Sequence, residues 1–596
     1  MRCISGVLLL FLCGILLATE IPDMYLPDEE APPEFPEELE ILDDLQQHPL
    51  AINTASPAQI AQLLWLTDDD IAHIIAHRPY RRTDQLFGIG VDSLLIARSL
   101  PYISLRLPPD VAGSIQTGCQ YSVADAQLPS SLKYTQKSRL TVNNFDGGVV
   151  MQKDAGEWRA ADFLSWFVRM KSASWLKSVT VGHYRMAFGQ GIVLAPALGF
   201  SKGPATTTAP QKKYRTIKPY MSSYEVGDFR GAAAHVTLGT FELTGFWSDN
   251  RLTANLDDDG KITSIDGTGL HTGGVKDNIS ERNSGGILAW ERPQWSASYL
   301  LLHTAFDHDF AAADQPQKYL AQSLAGQWHG QRMNFAGEVS RIRKDIAWTA
   351  SLRWGLPQFR HLLLARVYPA HFPTHHGNPF SSQSNFANEA GIYYGFQVRL
   401  AKSLMLYGYA DVWRFPQPRF FEKMPTAGSE EFLRISWTRS HREFIATMRH
   451  VSKEKQITLE ESKIRDFQRL IVRLDVVEHL TNCVTTKTRM EFCSENLPVE
   501  KEYNDGILFY QQLRAGWKKW RITARLTTVY GSVLQYTWEP DINGVFSTRV
   551  FQDDRLGAFI LVETDLRPGL RMQIKYRSEV HHTQAGYLSA LVLVTF

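Results

Sequence analysis

The stretch Trp520–Tyr530, W-R-I-T-A-R-L-T-T-V-Y, alternates apolar and polar side chains along its length. One face carries Trp520, Ile522, Ala524, Leu526 and Tyr530, and the other carries Arg521, Thr523, Arg525 and Thr527. A period of two residues predicts a β-strand. Aromatic residues at both ends of an apolar face are typical of strands that cross a bilayer. The strand is long enough to cross at a tilt of roughly 45°.

The same alternation recurs elsewhere in the chain. Leu570–Arg577 and Arg469–Val476 also separate apolar residues from a polar face rich in arginine and lysine. The chain ends with apolar residues at every second position from Leu588 to Phe596. This ending resembles the C-terminal signal by which bacterial outer-membrane barrels are handed to their assembly machinery. Many such segments together predict a transmembrane β-barrel.

The overall composition fits a barrel better than a helical membrane protein. The chain has 596 residues, 44% hydrophobic residues and a formal charge of +1, which excludes a simple polycation. Beyond the N-terminus there is no apolar run of about 20 residues, which a membrane-spanning helix needs. A barrel hides its apolar face by alternation instead, and the 11% aromatic content suits aromatic girdles at its rims.

The N-terminal part divides into three predicted segments. Residues 1–19 have the basic start and apolar core of a secretory signal peptide, which we expect to be removed from the mature protein. Residues 20–48 form an acidic, proline-rich linker that ends in a short helix. Residues 49–106 are predicted to form a compact helical domain, followed by the barrel over 113–596.

The helical domain carries a recognisable order of short helices. Ser56, Pro57 and Gln59 suit the start of a helix, and further helices are predicted at 68–77, 83–87 and 92–100. A glycine turn precedes the last one. This order resembles the helix-hairpin-helix module of competence-type DNA-binding proteins, in which a glycine hairpin brings backbone N–H groups to a phosphate. The resemblance implies DNA phosphate contacts by Gly88, Ile89, Gly90, Arg78, Arg81 and Arg82.

The first hairpin of this module departs from the family pattern. Leu66-Thr67-Asp68-Asp69-Asp70 stands where the family has a glycine turn, and three carboxylates at the start of a helix repel a phosphate. The alternative to DNA binding is therefore a module that keeps the helical scaffold and contacts a protein partner or the barrel opening.

A wider resemblance covers nearly the whole mature chain. The order of signal peptide, acidic segment, helix-hairpin-helix module and barrel is similar to a group of Bacteroidota-type helix-hairpin-helix outer-membrane β-barrel proteins. The segments that look like that group are Gly182–Gly191, Pro219–Glu225, Asp228–Ala233, Gly269–Thr272 and Asn388–Tyr393. The resemblance implies an outer-membrane barrel whose N-terminal domain lies in the periplasm, and it implies no particular activity.

The predicted fold class is mainly β, a large antiparallel transmembrane β-barrel of about 24 strands with a small all-α N-terminal domain. Barrels favour even strand numbers, which would place both ends of the barrel in the periplasm. Long polar segments are predicted to be extracellular loops, and short turns to be periplasmic. The long segments are 196–223, 252–284, 306–319, 369–387 and 415–430.

The polar strand faces carry an excess of cations that is expected to point into the lumen. One interpretation is attraction for anions, with contacts by Arg521, Arg525, Arg571 and Lys575. The other is that carboxylates elsewhere, such as Glu225 and Glu389, complete an internal charge network that closes the pore. The residues that form this excess are Arg469, Arg473, Lys487, Arg489, Arg521, Arg525, Arg571, Lys575 and Arg577.

No motif indicates an enzyme, a metal site or a cofactor. Residues 255–266 match much of a calcium loop but lack flanking helices, so a hairpin turn is favoured. His371, His375 and His376 lie in a loop without a nearby cysteine or carboxylate cluster, and we expect a solvated loop there rather than a zinc site. A barrel-embedded hydrolase stays open as an alternative, because a catalytic triad is defined in space rather than in sequence.

The leading hypothesis is a non-enzymatic transport or export-related barrel that needs no cofactor. Its expected partners are outer-membrane lipid, the barrel-assembly machinery through the strand ending at Phe596, and a periplasmic protein bound by the N-terminal module. The alternative is a DNA-uptake barrel whose module grips double-stranded DNA weakly and without sequence specificity.

The DNA alternative predicts a salt-dependent interaction. Residues 49–106 should bind labelled duplex with a dissociation constant of roughly 10⁻⁴ M or weaker at physiological salt, because only one hairpin is intact. A salt titration measures this affinity. Micromolar binding that is lost when Gly88 and Gly90 are replaced by bulky residues would contradict the expected weakness, and no binding at low salt would reject the DNA role.

Overall fold

The computed structural model describes Leu45 and most of the chain from residue 49 to 596. The gaps are 46–48, 56, 61–62, 64–65, 67, 92–94, 97–98, 106–110, 123–130, 158–160, 173, 196–201, 213–216, 224–226, 267–275, 293, 357, 384, 420–421, 457–463, 497–502, 543–545 and 581–583. The predicted signal peptide and nearly all of the predicted linker lie outside the described residues.

A closed antiparallel barrel of 24 strands forms the body of the protein, which confirms the predicted fold class. In chain order the strands are β1 Val111–Ser122, β2 Leu132–Val142, β3 Phe145–Lys153, β4 Phe163–Lys171, β5 Leu176–Met186, β6 Phe229–Leu238, β7 Phe241–Leu252, β8 Ile279–Glu291, β9 Trp295–Phe306, β10 Lys318–His329, β11 Met333–Ile342, β12 Asp345–Leu356, β13 Phe359–Tyr368, β14 Glu389–Ala401, β15 Leu404–Phe415, β16 Thr426–Arg439, β17 Arg442–Gln456, β18 Ile464–Thr481, β19 Val484–Asn496, β20 Tyr503–Trp517, β21 Trp520–Gly531, β22 Arg555–Arg567, β23 Leu570–Val580 and β24 Gln584–Thr595.

The last strand closes the ring against the first. β24 pairs with β1 from Ser114 opposite Thr595 to Ser122 opposite Tyr587. Beyond that register the Gly113 N–H donates to the Phe596 carbonyl at 2.8 Å, and the Phe596 N–H donates to the Gly113 carbonyl at 3.0 Å. The terminal residue therefore belongs to the seam of the barrel. Its recognition by an assembly machinery remains a prediction.

Strand β21 shows why this sequence forms a membrane-facing wall. Trp520, Ile522 and Leu526 are exposed on the outside, whereas Thr523 and Arg525 between them are buried on the inside. On most other strands, too, leucine, isoleucine and valine side chains are exposed. An apolar outer belt around a polar interior is the architecture of outer-membrane barrels.

Exposed aromatic residues form a ring near the end of the barrel that carries the short turns. Aromatic rings settle at the interface between lipid and water, so this ring marks one membrane boundary, as the sequence predicted for Trp520. Its members are Phe145, Trp175, Phe241, Trp295, Trp328, Phe359, Trp437, Trp520 and Phe596.

The five long connections predicted from the sequence all lie at the opposite end of the barrel. They occupy residues 187–228, 253–278, 307–317, 369–388 and 416–425. Two of them differ from the predicted extracellular loops, because residues 187–195 are buried inside the barrel, residues 202–212 are buried or half-buried, and parts of 369–388 are buried. A further connection, 532–554, contains a hairpin of Gln535–Pro540 with Phe546–Phe551.

The described residues of 49–105 form a small module that precedes the barrel in the chain. It contains α-helices Pro57–Ile60 and Asp68–Ala76 and 3-10 helices Thr83–Leu86 and Leu100–Tyr102. The prediction of an all-α module missed one feature, a short parallel pairing of Leu50–Ala51 with Ile103–Ser104 that joins the two ends of the module. No helix in the described part of the chain is long and apolar enough to cross a membrane.

The orientation of β21 predicts a depth-dependent cost of charge on the outer face. Leu526→Arg in the middle of the strand should lower the free energy of unfolding in lipid by about 2–4 kcal/mol, because it places a cation in hydrocarbon. The matched control Leu480→Arg, an equally exposed leucine at the turn end of β18, should cost only about 0–1 kcal/mol. Denaturant unfolding in vesicles measures both, and equal losses would contradict a surrounding bilayer.

Candidate functional site in the barrel lumen

The connection between β5 and β6, residues 187–228, enters the lumen and is called the long inner loop. Every residue of 187–195 is buried. The backbone N–H groups of Gln190 and Ile192 donate to Oε2 of Glu338 on β11, at 2.6 and 3.2 Å. Ser323 and Ser340 donate to its Oε1 at 2.7 and 3.1 Å. This buried carboxylate is thus satisfied by the wall and the loop together.

A glycine is required where the long inner loop meets Glu338. Gly189 has φ of +57°, a left-handed conformation that L side chains rarely adopt. A Cβ atom there would also lie 2.7 Å from Glu338 Oε2. The segment Gly182–Gly191, singled out in the sequence, therefore forms the entrance of the loop into the lumen.

Farther along, the long inner loop lies directly on the wall at Thr206. Its carbonyl accepts a hydrogen bond from the Tyr393 hydroxyl at 2.8 Å, and its hydroxyl donates to the Phe396 carbonyl at 2.7 Å. A Cβ on Gly395 would lie 2.1 Å from the Thr206 oxygen. Only glycine at position 395 permits this approach.

Between these two contacts the loop inserts one charged side chain into the wall. The Lys202 ammonium lies 2.8 Å from Asp411 and 2.9 Å from Glu430, and 4.3 Å from the centroid of the Trp413 ring. Only 6% of the lysine side chain is exposed.

Lys202 completes a chain of charges that crosses five consecutive strands. Arg366 on β13 contacts Glu389 on β14 at 2.5 Å and Asp411 on β15 at 2.8 Å. Glu430 on β16 accepts from Arg449 on β17 at 2.9 Å. Three cations therefore meet three carboxylates, and without Lys202 the group would carry a net charge of −1. Such groups are stable in a buried site only when their charges are matched.

Because residue 391 on β14 is a glycine, the Arg366 side chain has space to cross β14 and contact Asp411 on β15. The two residues lie opposite each other on β13 and β14, and a Cβ on Gly391 would be 2.8 Å from the guanidinium carbon. The segment Asn388–Tyr393, noted in the sequence, thus supplies both a carboxylate and the space for its partner. Glu389 completes an internal charge network as one interpretation expected, whereas Glu225 lies outside the described residues.

The connection 369–388, called the short inner loop, packs on the long one. The Ala195 N–H donates to the His376 carbonyl at 2.8 Å, and the Asn378 N–H donates to the Gly191 carbonyl at 2.9 Å. On the other side, Ser382 donates through its N–H and hydroxyl to the Glu389 carboxylate. The two loops therefore close this part of the lumen as one unit.

The expectation of a solvated histidine loop is wrong for His376, whose side chain is buried with Nε2 3.0 Å from both Glu281 oxygens. His375 packs against the rings of Phe306 and Phe310 but is exposed. His371 is exposed beside Asp314. Sequence inspection missed the carboxylate because Glu281 is far away in the chain.

The predicted anion contacts lie on the inner wall of β21 and β23, and the hairpin connection 532–554 contacts two of them, Arg525 and Lys575. Arg525 donates to the Gln512 side chain at 2.7 Å and to the Trp538 carbonyl at 2.7 Å. Lys575 lies 3.4 Å from Glu539 and 3.6 Å from Asp541.

The two remaining predicted contacts also face acids. Arg521 lies 3.8 Å from Glu563 and 3.5 Å from Asp565, and Arg571 lies 2.9 Å from Asp565. Cross-strand partners of the same kind pair Arg473 with Glu491 and Arg489 with Asp475. These contacts favour the internal charge network over an open anion-lined pore.

The N-terminal module packs against the barrel interior near the short turns. Its apolar core, which includes Ile60 and Leu63, continues into Tyr407 of β15 and Ala205 of the long inner loop. Asp70, in the acidic helix start, lies 3.9 Å from Arg360 of β13. The acidic residue that departs from the DNA-binding pattern thus faces the barrel.

The residues predicted to touch DNA are divided between surface and interior of the module. Gly88 and Gly90 are exposed with φ of +84° and +93°, and Arg81 and Arg82 are exposed beside them in sequence. Ile89 is buried.

Arg78, the remaining residue of that set, makes a hydrogen bond within the module. Arg78 donates to the Ala55 carbonyl at 2.8 Å. DNA binding by this set remains a prediction.

The calcium-like segment of the sequence is a hairpin turn in the structure. Residues 255–266 form a hairpin of Ala254–Leu256 with Ile262–Ile265, as the turn interpretation predicted. Among the described residues there is no group of three or more His, Cys, Asp or Glu side chains that could hold a metal ion.

These features define a class of protein, a closed membrane-spanning β-barrel whose lumen is occupied by its own loops. No family model matches the sequence, and no curated protein matches it. Among solved structures, the copper transporter OprC has a TM-score of 0.42 at 9% identity, over 82% of this chain and 81% of that one. The FpvAI–pyocin S2 complex has a TM-score of 0.37 at 8% identity, over 82% and 74%. OccAB4 of Acinetobacter baumannii has 0.27 at 7% identity, over 82% and 98%.

The matched charges predict that removing Lys202 is costly. Lys202→Met should lower the free energy of unfolding by about 3 kcal/mol, because it leaves a buried excess carboxylate. Adding Glu430→Gln restores the balance and should recover part of the loss. Denaturant unfolding measures both, with Lys344→Met at an exposed turn as the control. A loss that is no larger for Lys202→Met than for the control would contradict this assignment.

The buried His376 predicts a pH dependence of the short inner loop. Burial lowers the pKa of His376, but the adjoining Glu281 carboxylate outweighs this and raises the pKa above its usual value. The stabilisation is therefore present below the unfolded-state pKa of about 6.5 and is lost as pH rises through the higher folded-state pKa. Protease protection of residues 369–388 should fall over that range, and it should be independent of pH in His376→Asn.

Proposed function

We propose that the protein is a gated, non-enzymatic transport barrel of the outer membrane, in its closed state. The observation that carries the proposal is the insertion of Lys202 of the long inner loop between Asp411 and Glu430 of the wall. The loop is attached at this point by ion pairs and hydrogen bonds rather than by a continuous sheet. Such contacts exchange for water when a segment moves, so a path opens without breaking the barrel.

The two ends of the lumen are closed by different parts of the chain. At the long-loop end, which we assign to the extracellular side, the two inner loops fill the barrel. At the short-turn end, assigned to the periplasm, the N-terminal module shares its core with Tyr407 and Ala205. The module therefore contacts the long inner loop directly at Ala205. A periplasmic protein that binds the module could act on the loop through this contact.

The proposed gate is tested by a substitution that displaces the long inner loop from the barrel wall. Gly395→Val places a side chain where the Thr206 carbonyl lies 2.1 Å from the Cβ position, so the segment around Thr206 must leave. In planar bilayers the wild type should conduct poorly, and Gly395→Val should open several-fold more often. The control is Gly245→Val, since a Cβ at position 245 meets nothing within 4 Å.

Both variants must first show the heat-modifiable migration of a folded barrel. A wild type that already conducts as a wide pore would reject the closed state. Equal conductance of the two folded variants would show that the long inner loop is not the gate.

A further inference from the structure

The wall around Lys202 has the composition of a receptor for a primary amine. Two carboxylates lie within 2.9 Å of the ammonium, and an indole ring lies 4.3 Å away. Carboxylates accept charge-assisted hydrogen bonds from N–H groups, and the face of tryptophan attracts cations. All three groups belong to the barrel, and only the lysine belongs to the loop.

The two carboxylates are placed so that they need a cation between them. Asp411 and Glu430 lie directly opposite each other on β15 and β16, a position where like charges destabilise a sheet. Arg366 bonds to both Asp411 oxygens on one flank. On the other flank, Tyr409 and Arg449 donate to Oε1 of Glu430, while Oε2 faces Lys202.

The Trp413 indole occupies space that is left free because residue 428 is a glycine. A Cβ on Gly428 of β16 would lie 2.7 Å from Cζ2 of Trp413, so the ring lies against this glycine and turns towards the ammonium. Arg366, Tyr409 and Arg449, which contact the two carboxylates, also belong to barrel strands. The pocket is therefore formed by side chains of the barrel wall.

We infer that this pocket binds the primary ammonium group of a transported solute, and that Lys202 is its intramolecular occupant in the closed state. The inference rests on the proposed gating function and names its substrate class, small solutes that carry a primary amine. A solute ammonium takes the place of Lys202 between the two carboxylates and thereby releases the loop. A quaternary ammonium has no N–H to donate and does not fit.

The experiment uses full-length Lys202→Ala in detergent, titrated calorimetrically with propylammonium. We expect one site with a dissociation constant of about millimolar, together with a rise in the thermal midpoint of the variant. Wild type should show no comparable site because Lys202 occupies it. Tetramethylammonium and 1-propanol at matched ionic strength should produce neither effect.

Two variants make the result specific. Lys212→Ala removes another buried lysine of the same loop and should gain no amine site. Lys202→Ala combined with Glu430→Gln should lose at least tenfold in affinity for propylammonium. Equal effects of propylammonium and tetramethylammonium, or equal binding to Lys212→Ala, would overturn the amine site.

Failure of the amine site and failure of gating give different results. If Lys202→Ala does not bind propylammonium but Gly395→Val still opens the barrel, the substrate class is wrong and the gate stands. If Lys202→Ala binds the amine but Gly395→Val conducts like its control, the gate is wrong and the amine site stands.

Discussion

The absence of water in a bilayer core is the constraint on which the rest of this structure depends. An unpaired backbone N–H or carbonyl is costly there, so a sheet that crosses the membrane must have no free edge. The mutual hydrogen bonds of Gly113 and Phe596 complete that closure. Once the ring is closed, the period of two along every strand sends one set of side chains to lipid and the other to the lumen.

Closure creates a second problem, because a ring of 24 strands encloses more space than its own side chains fill. In this chain two loops and a hairpin enter that space. Their polar backbone needs partners, and the wall provides them through groups such as Glu338 and Tyr393. The charges inside are matched for the same reason, since a buried ion without a partner is costly. The lumen of this barrel is therefore organised as a protein core.

The sequence predicts the wall well and the lumen poorly. Alternation is local, so strands such as β21 and the even strand count follow from reading the chain in order. Lys202, by contrast, stands in a polar segment with glycine and proline that has the composition of a solvated loop. Its partner Glu430 is 228 positions away, and no periodic pattern connects them. Even Arg473 and Glu491, which lie on neighbouring strands, are identified as partners only once the strand register is known.

The two parts of the long inner loop are attached by different forces, and this difference limits the motion that the proposed gating requires. Ile192, Val193 and Leu194 are fully buried in the apolar cluster that includes Phe306 and Phe372, so withdrawing them would expose apolar surface to water. The segment from residue 202 to 209 is instead attached mainly by polar contacts, which water or a solute replaces at lower cost. Under the proposed gating function, the first part would be the anchor and the second the movable element. The second part also touches the N-terminal module through Ala205 and Ala209, so its proposed motion would be coupled to the end of the lumen that carries the short turns.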